Sequence, residues 1–509
     1  MMIDNQSDTR SKRAVLNIIV SLLCRILTLI CGLIVPQLMI GHYGSESYGA
    51  TASIAQFLAY ISLLEGGIGG VARAALYKPL AKRDIATISK IVAEIKRFFR
   101  IIAYVFIVYT LILACSFKTI SHIECFDWLS SFLLVIAISI STLAQYFVGI
   151  SYATLIQASQ RTYITDVINI STMILNTILV VFLVNMGSSL IIVKFVSSFV
   201  YVLRPLFMWM YVKKKFALTR FEYDGTNYLT QKWDGLGQHI AYFLFSNTDI
   251  AVLTILANLK TVSVYSVYYM IIVQVDNLTA AFSSGMEAIF GDMLAKKEIK
   301  KLGDTFDYYE SLISVIALIL FSVTAVLIVP FVRLYTKNVS DADYIQPFFA
   351  WILIGAYLIT AMRRPYHNLV IAAGHFRQTQ IAAYGEAVIN VIISVVLVSK
   401  YGLIGVAVGT IVATLFRLLY YVEYLSTHIF YRNIRKFIKR IIVNVIVSSL
   451  ICIPGTIFCK FLDFSGYITW GIAGAILTLG ATIITFGIYA LAYKSDILFI
   501  IAKIFKKER

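Results

Sequence analysis

The chain has 509 residues, of which 59% are hydrophobic and 14% charged, and it carries a formal net charge of +17. That balance excludes a soluble globular domain, whose surface needs more polar residues to stay dissolved. The apolar residues arrive in blocks of about twenty, enough for a helix to cross a bilayer core.

In chain order the blocks predict fourteen spans: 15–40, 49–72, 101–117, 129–154, 164–185, 188–212, 239–259, 263–289, 311–335, 346–372, 380–399, 403–424, 439–459 and 467–492. The first is too long for a signal peptide and has no small-residue cleavage pattern. All are continuously apolar rather than alternating, so the fold class is an all-α polytopic membrane protein. Between the second and third spans, Lys78–Arg100 places Leu80, Ile88, Ile91, Val92 and Ile95 at helical spacing. It is read as an interfacial helix.

Lys and Arg sort by side. Of 44, 31 lie in segments on the N-terminal side of the membrane, 8 lie within spans, and 5 lie opposite (Lys118, Lys260, Lys337, Lys400 and Lys460). The positive-inside rule then puts both termini in the cytoplasm. The positive charge is explained by anionic lipid headgroups and needs no nucleic acid. No Cys-x-x-Cys or Cys/His cluster is present, so no metal or other cofactor is expected. Cys115 and Cys125 fall on the outer side, but their spacing does not demand a disulfide.

A weak echo recurs at about 215 residues. Leu80-Ala81-Lys82-Arg83-Asp84 matches Leu294-Ala295-Lys296-Lys297-Glu298, Arg161 matches Arg377, Asn176 matches Asn390, and Gly187 matches Gly402. Six spans separate the copies, so they keep one orientation and read as parallel repeats. The expected organisation is a six-helix bundle (1–212), a cytoplasmic linker (213–238), a second six-helix bundle (239–424), and two appended helices with a basic tail (425–509). Two bundles around a central cavity form a transporter architecture.

Charges inside spans cost about 2.5–3.5 kcal/mol each on insertion scales, so they point to a cavity or a partner. The cations are Arg25, Arg73, Lys194, Arg204, Arg333, Arg363, Arg364 and Arg417; the acids include Glu65, Asp166, Asp249, Asp276, Glu287 and Glu386. Polar stripes follow helical phase: Asn17, Ser21, Arg25 and Thr28; Tyr242, Ser246 and Asp249; Asp276, Ser283 and Glu287; Tyr357, Thr360, Arg364 and His367; Thr379, Glu386, Asn390 and Ser394. They are read as lining a shared aqueous cavity. Arg25 is too deep to snorkel and is the first candidate ligand-binding cation, followed by Arg363 and Arg364 before Pro365. Arg73, Lys194, Arg204, Arg333 and Arg417 lie nearer span ends, within snorkelling reach, though Arg73 and Arg204 stay among the candidate cavity cations. Asp249, Asp276, Glu287, Glu386 and Asp166 are candidates for ion pairs or for coupling to a proton or cation. His367 is read as a hydrogen-bonded helix histidine. Cavity arginines favour an anionic ligand such as a pyrophosphate head.

Several segments carry a resemblance. They are Arg25 with Pro36-Gln37-Leu38 and His42-Tyr43-Gly44-Ser45-Glu46-Ser47-Tyr48-Gly49; Asn247-Thr248-Asp249-Ile250 with Val262-Ser263-Val264-Tyr265-Ser266-Val267-Tyr268; and Arg364-Pro365-Tyr366 with Ala373-Gly374-His375-Phe376 and Glu386-Ala387-Val388-Ile389-Asn390. Across almost its whole length the chain resembles the O-antigen and capsule-type polysaccharide flippases of the multidrug/oligosaccharidyl-lipid/polysaccharide exporter superfamily. The resemblance implies that the chain moves an undecaprenyl-pyrophosphate-linked oligosaccharide across a bacterial plasma membrane by rocker-switch motion. It implies a phosphate-binding role for Arg25 and Arg364, and the lipid bilayer and other polysaccharide-assembly membrane proteins as partners. Glu65-Gly66-Gly67 stands where relatives often carry Asp-x-Gly. The alternatives are a cation-coupled multidrug exporter of the same fold, a lipid II or teichoic-precursor flippase, and, in a different class, a membrane-embedded glycan polymerase or ligase. The enzyme is disfavoured because no nucleophile, paired-carboxylate or metal-ligand constellation stands out and the outer loops are short.

Overall fold

Backbone N–H and C=O groups find no water inside a bilayer, so a spanning chain must satisfy them internally, as helices do. The computed structural model describes residues 6–66, 68–216, 218, 236–283, 285–494 and 496, and among these there is no strand. The expected linker 213–238, the basic tail and the side chain of Tyr242 fall largely or wholly outside the described residues. The chain divides into two compact units, Met1–Phe243 with Asn258–Ser263, and Leu244–Ala257 with Val264–Arg509.

Unit 1 holds α1 (Gln6–Ala59), α2 (Ile68–Lys82), α3 (Ile85–Ser121), α4 (Trp128–Ala144), α5 (Ile150–Ala158), α6 (Thr162–Asn185) and α7 (Leu190–Lys215). Next, α8 (Leu236–Leu256) and α9 (Leu259–Ala281) begin in unit 1 and end in unit 2. Unit 2 continues with α10 (Met286–Ala295), α11 (Ile299–Tyr335), α12 (Pro347–Ala372), α13 (Gln380–Tyr401), α14 (Leu403–His428), α15 (Ile434–Lys460) and α16 (Tyr467–Ala492).

Eleven described helices are long and apolar enough to cross a membrane. One of them, Val15–Glu65, covers the first expected span and most of the second. The helices α9 and α12, where the eighth and tenth spans were expected, have spanning length but a more polar composition, and so fall outside the eleven.

The second span departs from a plain helix. Gly44 breaks α1 at φ 84° and ψ 167°, a conformation open to glycine and little else. The chain then passes through a 3₁₀ turn, Tyr60–Glu65, and left-handed Gly66 before α2. The expected interfacial helix is also corrected. Residues 85–100 run unbroken into the third span as α3, because nothing between Ile85 and Ser121 is Gly or Pro. Their apolar face (Ile88, Ile91, Val92, Ile95 and Phe99) is buried in the core of unit 1 rather than laid on lipid.

The His42–Gly49 motif is structural throughout. Tyr43 donates to the Ser188 carbonyl at 2.6 Å. Glu46 accepts the N–H groups of Glu124 and Cys125 at 2.7 and 3.3 Å, tying down the α3–α4 loop. At Gly49 any Cβ would lie 1.8 Å from the Leu259 carbonyl oxygen. Cys115 and Cys125 are free thiols.

The repeat reappears in backbone geometry. Arg83 and Lys297 are both left-handed, at φ 56° and 57°, and each sits in a Schellman turn. The bonds match: Asp84 N–H to Pro79 and Glu298 N–H to Met293, both at 3.0 Å. Gln160 and Gly374 repeat this turn one helical pair later, at φ 60° and 73°. The helices after the first turns, α3 and α11, both have 37 residues.

Candidate functional site

Unit 2 gathers its membrane-embedded charges on α12, α13 and α14. Glu386 of α13, with no exposed surface, accepts from two guanidiniums. Arg363 of α12 bonds Oε1, and Nη1 of Arg417 bonds Oε2 at 2.5 Å. Arg417 also donates to the Tyr421 hydroxyl from Nη2 at 3.0 Å, and its guanidinium lies over that ring. Tyr421 in turn meets Nδ1 of His367 at 3.3 Å. One residue beyond Arg363, Arg364 pairs with Asp276 of α9 at 2.5 Å and leaves its Nε buried and unbonded. Three arginines thus share two carboxylates, and all three act electrostatically on His367. A buried guanidinium excess of this kind has spare donors for an anion.

A second group surrounds Asp249 of α8. Its Oδ2 accepts from Tyr265 at 2.8 Å and from Thr410 at 3.0 Å; its Oδ1 accepts from Asn390 at 3.2 Å. Ser394 bonds Asn390 Oδ1 at 3.0 Å, and Thr410 also bonds the Val406 carbonyl at 3.1 Å. Asp276 is therefore in an ion pair, whereas Asp249 is held by neutral groups. Two hydroxyls and an amide N–H thus converge on a buried carboxylate, a polar group in which a proton can be held.

Several stripes are placed differently from the expectation. Thr379, Glu386, Asn390 and Ser394 are at most 1% exposed, so they form a seam inside unit 2 rather than a wet wall. The seam is tight because α14 offers Gly405 and Gly409: a Cβ on Gly409 would lie 2.3 Å from Ser394 Oγ, and one on Gly405 2.6 Å from the Leu397 carbonyl. Glu287 does not share a helix with Asp276. The chain leaves α9 at Ala281 and re-enters helix after left-handed Gly285, which puts Glu287 exposed in the first turn of α10. Arg417 does not snorkel; it lies fifteen residues into α14, buried against Glu386.

Unit 1 is sparser in acids. Asn17 of α1 binds the start of α6 through the Tyr163 N–H and the Gln160 carbonyl, and Ser21 donates to Asp166 at 2.5 Å. One turn on, Arg25 is exposed. Arg204 of α7 donates to Thr172 at 2.8 Å and stacks on the Tyr201 ring. Arg73 of α2 donates to Gln157 at 3.3 Å. Glu65 accepts from Tyr146 at 2.6 Å, at a π-helical turn, Gln145–Gly149.

Sequence reasoning missed one cluster outside the spans. Glu310 of α11 is buried, bonded by Tyr366 and by Arg432 at 2.5 Å each, and Arg440 lies 3.3 Å away. Asp307 joins Arg432 to Lys436, and Asp496 lies 3.7 Å from Arg440. Burial works against the Arg432 charge, but Glu310, Tyr366 and Asp307 outweigh it and raise its pKa. The cluster fastens α15, and Asp496 beyond the end of α16, to α11. Its signal was the acidic pair Asp307 and Glu310 one turn apart beside a basic run at 432–440.

No protein-family profile and no curated protein matches the chain. Solved structures do share its fold. The lipid II flippase MurJ, in an inward closed conformation, is 14% identical, with 93% of this chain and 99% of that one covered and a TM-score of 0.68. An inward-facing multidrug resistance MATE family transporter of the MOP superfamily is 16% identical, over 80% and 98%, with a TM-score of 0.56. The eukaryotic MATE transporter AtDTX14 is 14% identical, over 84% and 98%, also at 0.56. These neighbours are a flippase and transporters, and this chain shares their fold.

Proposed function

We propose, taking that fold as the premise, that the chain is a flippase for a lipid carrying a phosphate-linked glycan. The cargo class that fits best is an undecaprenyl-pyrophosphate-linked oligosaccharide, moved from the cytoplasmic to the outer leaflet of a bacterial plasma membrane for surface polysaccharide synthesis. The observation that carries the reading is the arginine excess: Arg363, Arg364 and Arg417 against Glu386 and Asp276 in unit 2. In unit 1, Arg204 bonded to a hydroxyl and the exposed Arg25 point the same way. Guanidiniums grip phosphate oxygens in pairs, while an attached apolar tail stays in lipid. The fold shared with a lipid II flippase adds support.

In this reading the cations hold the phosphate head during alternating access, and the Asp249 group takes up and releases a proton or monovalent cation to drive the cycle. Depletion of the protein in its host, with mass spectrometry of lipid-linked oligosaccharides, tests it. Complete undecaprenyl-pyrophosphate repeat units should build up on the cytoplasmic face. Unchanged lipid pools would refute it.

A second reading is a cation-coupled multidrug exporter, favoured by the oxygen-lined Asp249 group and the MATE-type neighbours. It predicts changed resistance to cationic drugs on depletion, with no lipid build-up.

A further inference from the structure

On unit 2, at the end of α11 away from the Glu310 cluster, a groove of about 510 Å³ opens between α11, α12 and α15. Its walls include Val326, Val329 and Trp351, and its mouth carries Arg333 and Lys460. Both cations are exposed, and neither is held by a hydrogen bond or ion pair among the described residues. Pro347, the first residue of α12, also lines the groove, so the positive end of that helix faces the same space. Asp463 is the acidic residue on the lining and offsets one charge. Beside the groove, Phe331 packs on Trp470 at 5.2 Å and on Tyr467 at 6.2 Å, and Trp470 donates to the Leu327 carbonyl. Trp and Tyr gathered in this way mark headgroup depth.

The placement of these cations is unusual for their face. The Lys and Arg distribution puts this end outside, where the loops hold 5 of the 44 cationic residues. Lys460 is one of those five, and Arg333 joins it from α11. Cations on such a face are not topology signals, since the positive-inside rule acts against them.

The geometry points to a binding site for an outer-leaflet phospholipid with an anionic phosphate headgroup. Arg333, Lys460 and the α12 N-terminus hold the phosphate, and one acyl chain lies along Val326, Val329 and Trp351. The site stands apart from the transport reading and from the arginines of α12 and α14.

Cys459 lines the groove and reports on it. The test is alkylation of the purified full-length protein by N-ethylmaleimide, read by peptide mass spectrometry, with exposed Cys115 as internal control. Phosphatidylglycerol should slow reaction at Cys459 and leave Cys115 unchanged, while diacylglycerol and inorganic phosphate should have no effect. Replacing Arg333 and Lys460 together by Gln should weaken the protection about tenfold. Protection by diacylglycerol would mean an apolar groove without phosphate recognition, and protection by inorganic phosphate would mean a free-anion site. Either result overturns the proposal, as does protection that is absent or that survives the double substitution.

Discussion

Arg204 in unit 1 and Arg417 in unit 2 are each the fifteenth residue of their helix, α7 and α14. Each reaches the preceding helix, α6 or α13, at positions related by the repeat offset: Thr172 and Glu386. The contact is the same, but the acceptor is a hydroxyl in one unit and a carboxylate in the other. In unit 2 the carboxylate is shared with Arg363, so the arginines are locked into a buried network. In unit 1 the guanidinium bonds a hydroxyl and has no ion pair among the described residues. One repeat has thus become a packed seam in which a carboxylate offsets part of the arginine charge, while the other holds its cation against a hydroxyl.

The sharpest way to break this comparison is Glu386→Ala. It strands two buried guanidiniums and should cost about 3–5 kcal/mol, read as loss of folded protein in thermal unfolding. Thr172→Val, its counterpart, strands a single half-buried group and should cost less. Equal losses would erase the distinction between the seams. Gly409→Ala comes next. Its Cβ would meet Ser394 Oγ at 2.3 Å and the Asn390 carbonyl at 3.0 Å, for an expected loss of about 1–3 kcal/mol. The matching position in α7 is Val196, so unit 1 needs no such close approach.

Transplanting the carboxylate sharpens the comparison. Thr172→Glu should neutralise Arg204 and slow transport of a phosphate-bearing lipid about tenfold in a reconstituted assay, with the fold intact. The smallest effect lies at the repeated helix starts. Asp84 caps α3 by accepting from the Thr87 N–H and hydroxyl, which holds its carboxyl below the usual carboxylate range. Glu298, at the start of α11, makes no side-chain cap. A depressed folded pKa stabilises above the unfolded value, about pH 4, and the benefit is lost as pH falls through the lower folded value. Asp84→Asn should therefore flatten the acid limb of stability slightly, read by denaturation as a function of pH.

Much of this was legible in the sequence because membrane burial writes itself into composition. Spans, helix class and the repeat followed from apolar blocks and from motifs such as Leu80–Asp84, whose left-handed Arg83 the structure repeats at Lys297. Breaks were harder to see. The 3₁₀ turn at Tyr60–Glu65 and the turn at Gly285 lie inside apolar blocks, where hydropathy has no contrast. Helical phase found the Glu386–Ser394 stripe but could not tell a wet cavity from a helix seam, since both select one polar face. The Gly405 and Gly409 pair was the overlooked signal for a seam. Pairing was also out of reach. Among the described residues Asp276 bonds Arg364 and Asp249 bonds no cation, a distinction set by neighbouring helices rather than by local sequence.

The most direct test of the central claim is flipping in proteoliposomes containing the purified protein, with an undecaprenyl-pyrophosphate-linked oligosaccharide in one set and a cationic dye in another. The account predicts that the lipid crosses, the dye does not, and that Arg204→Gln with Arg25→Gln slows crossing without unfolding the protein. Dye transport with no lipid movement, or lipid movement indifferent to both arginines, would contradict it.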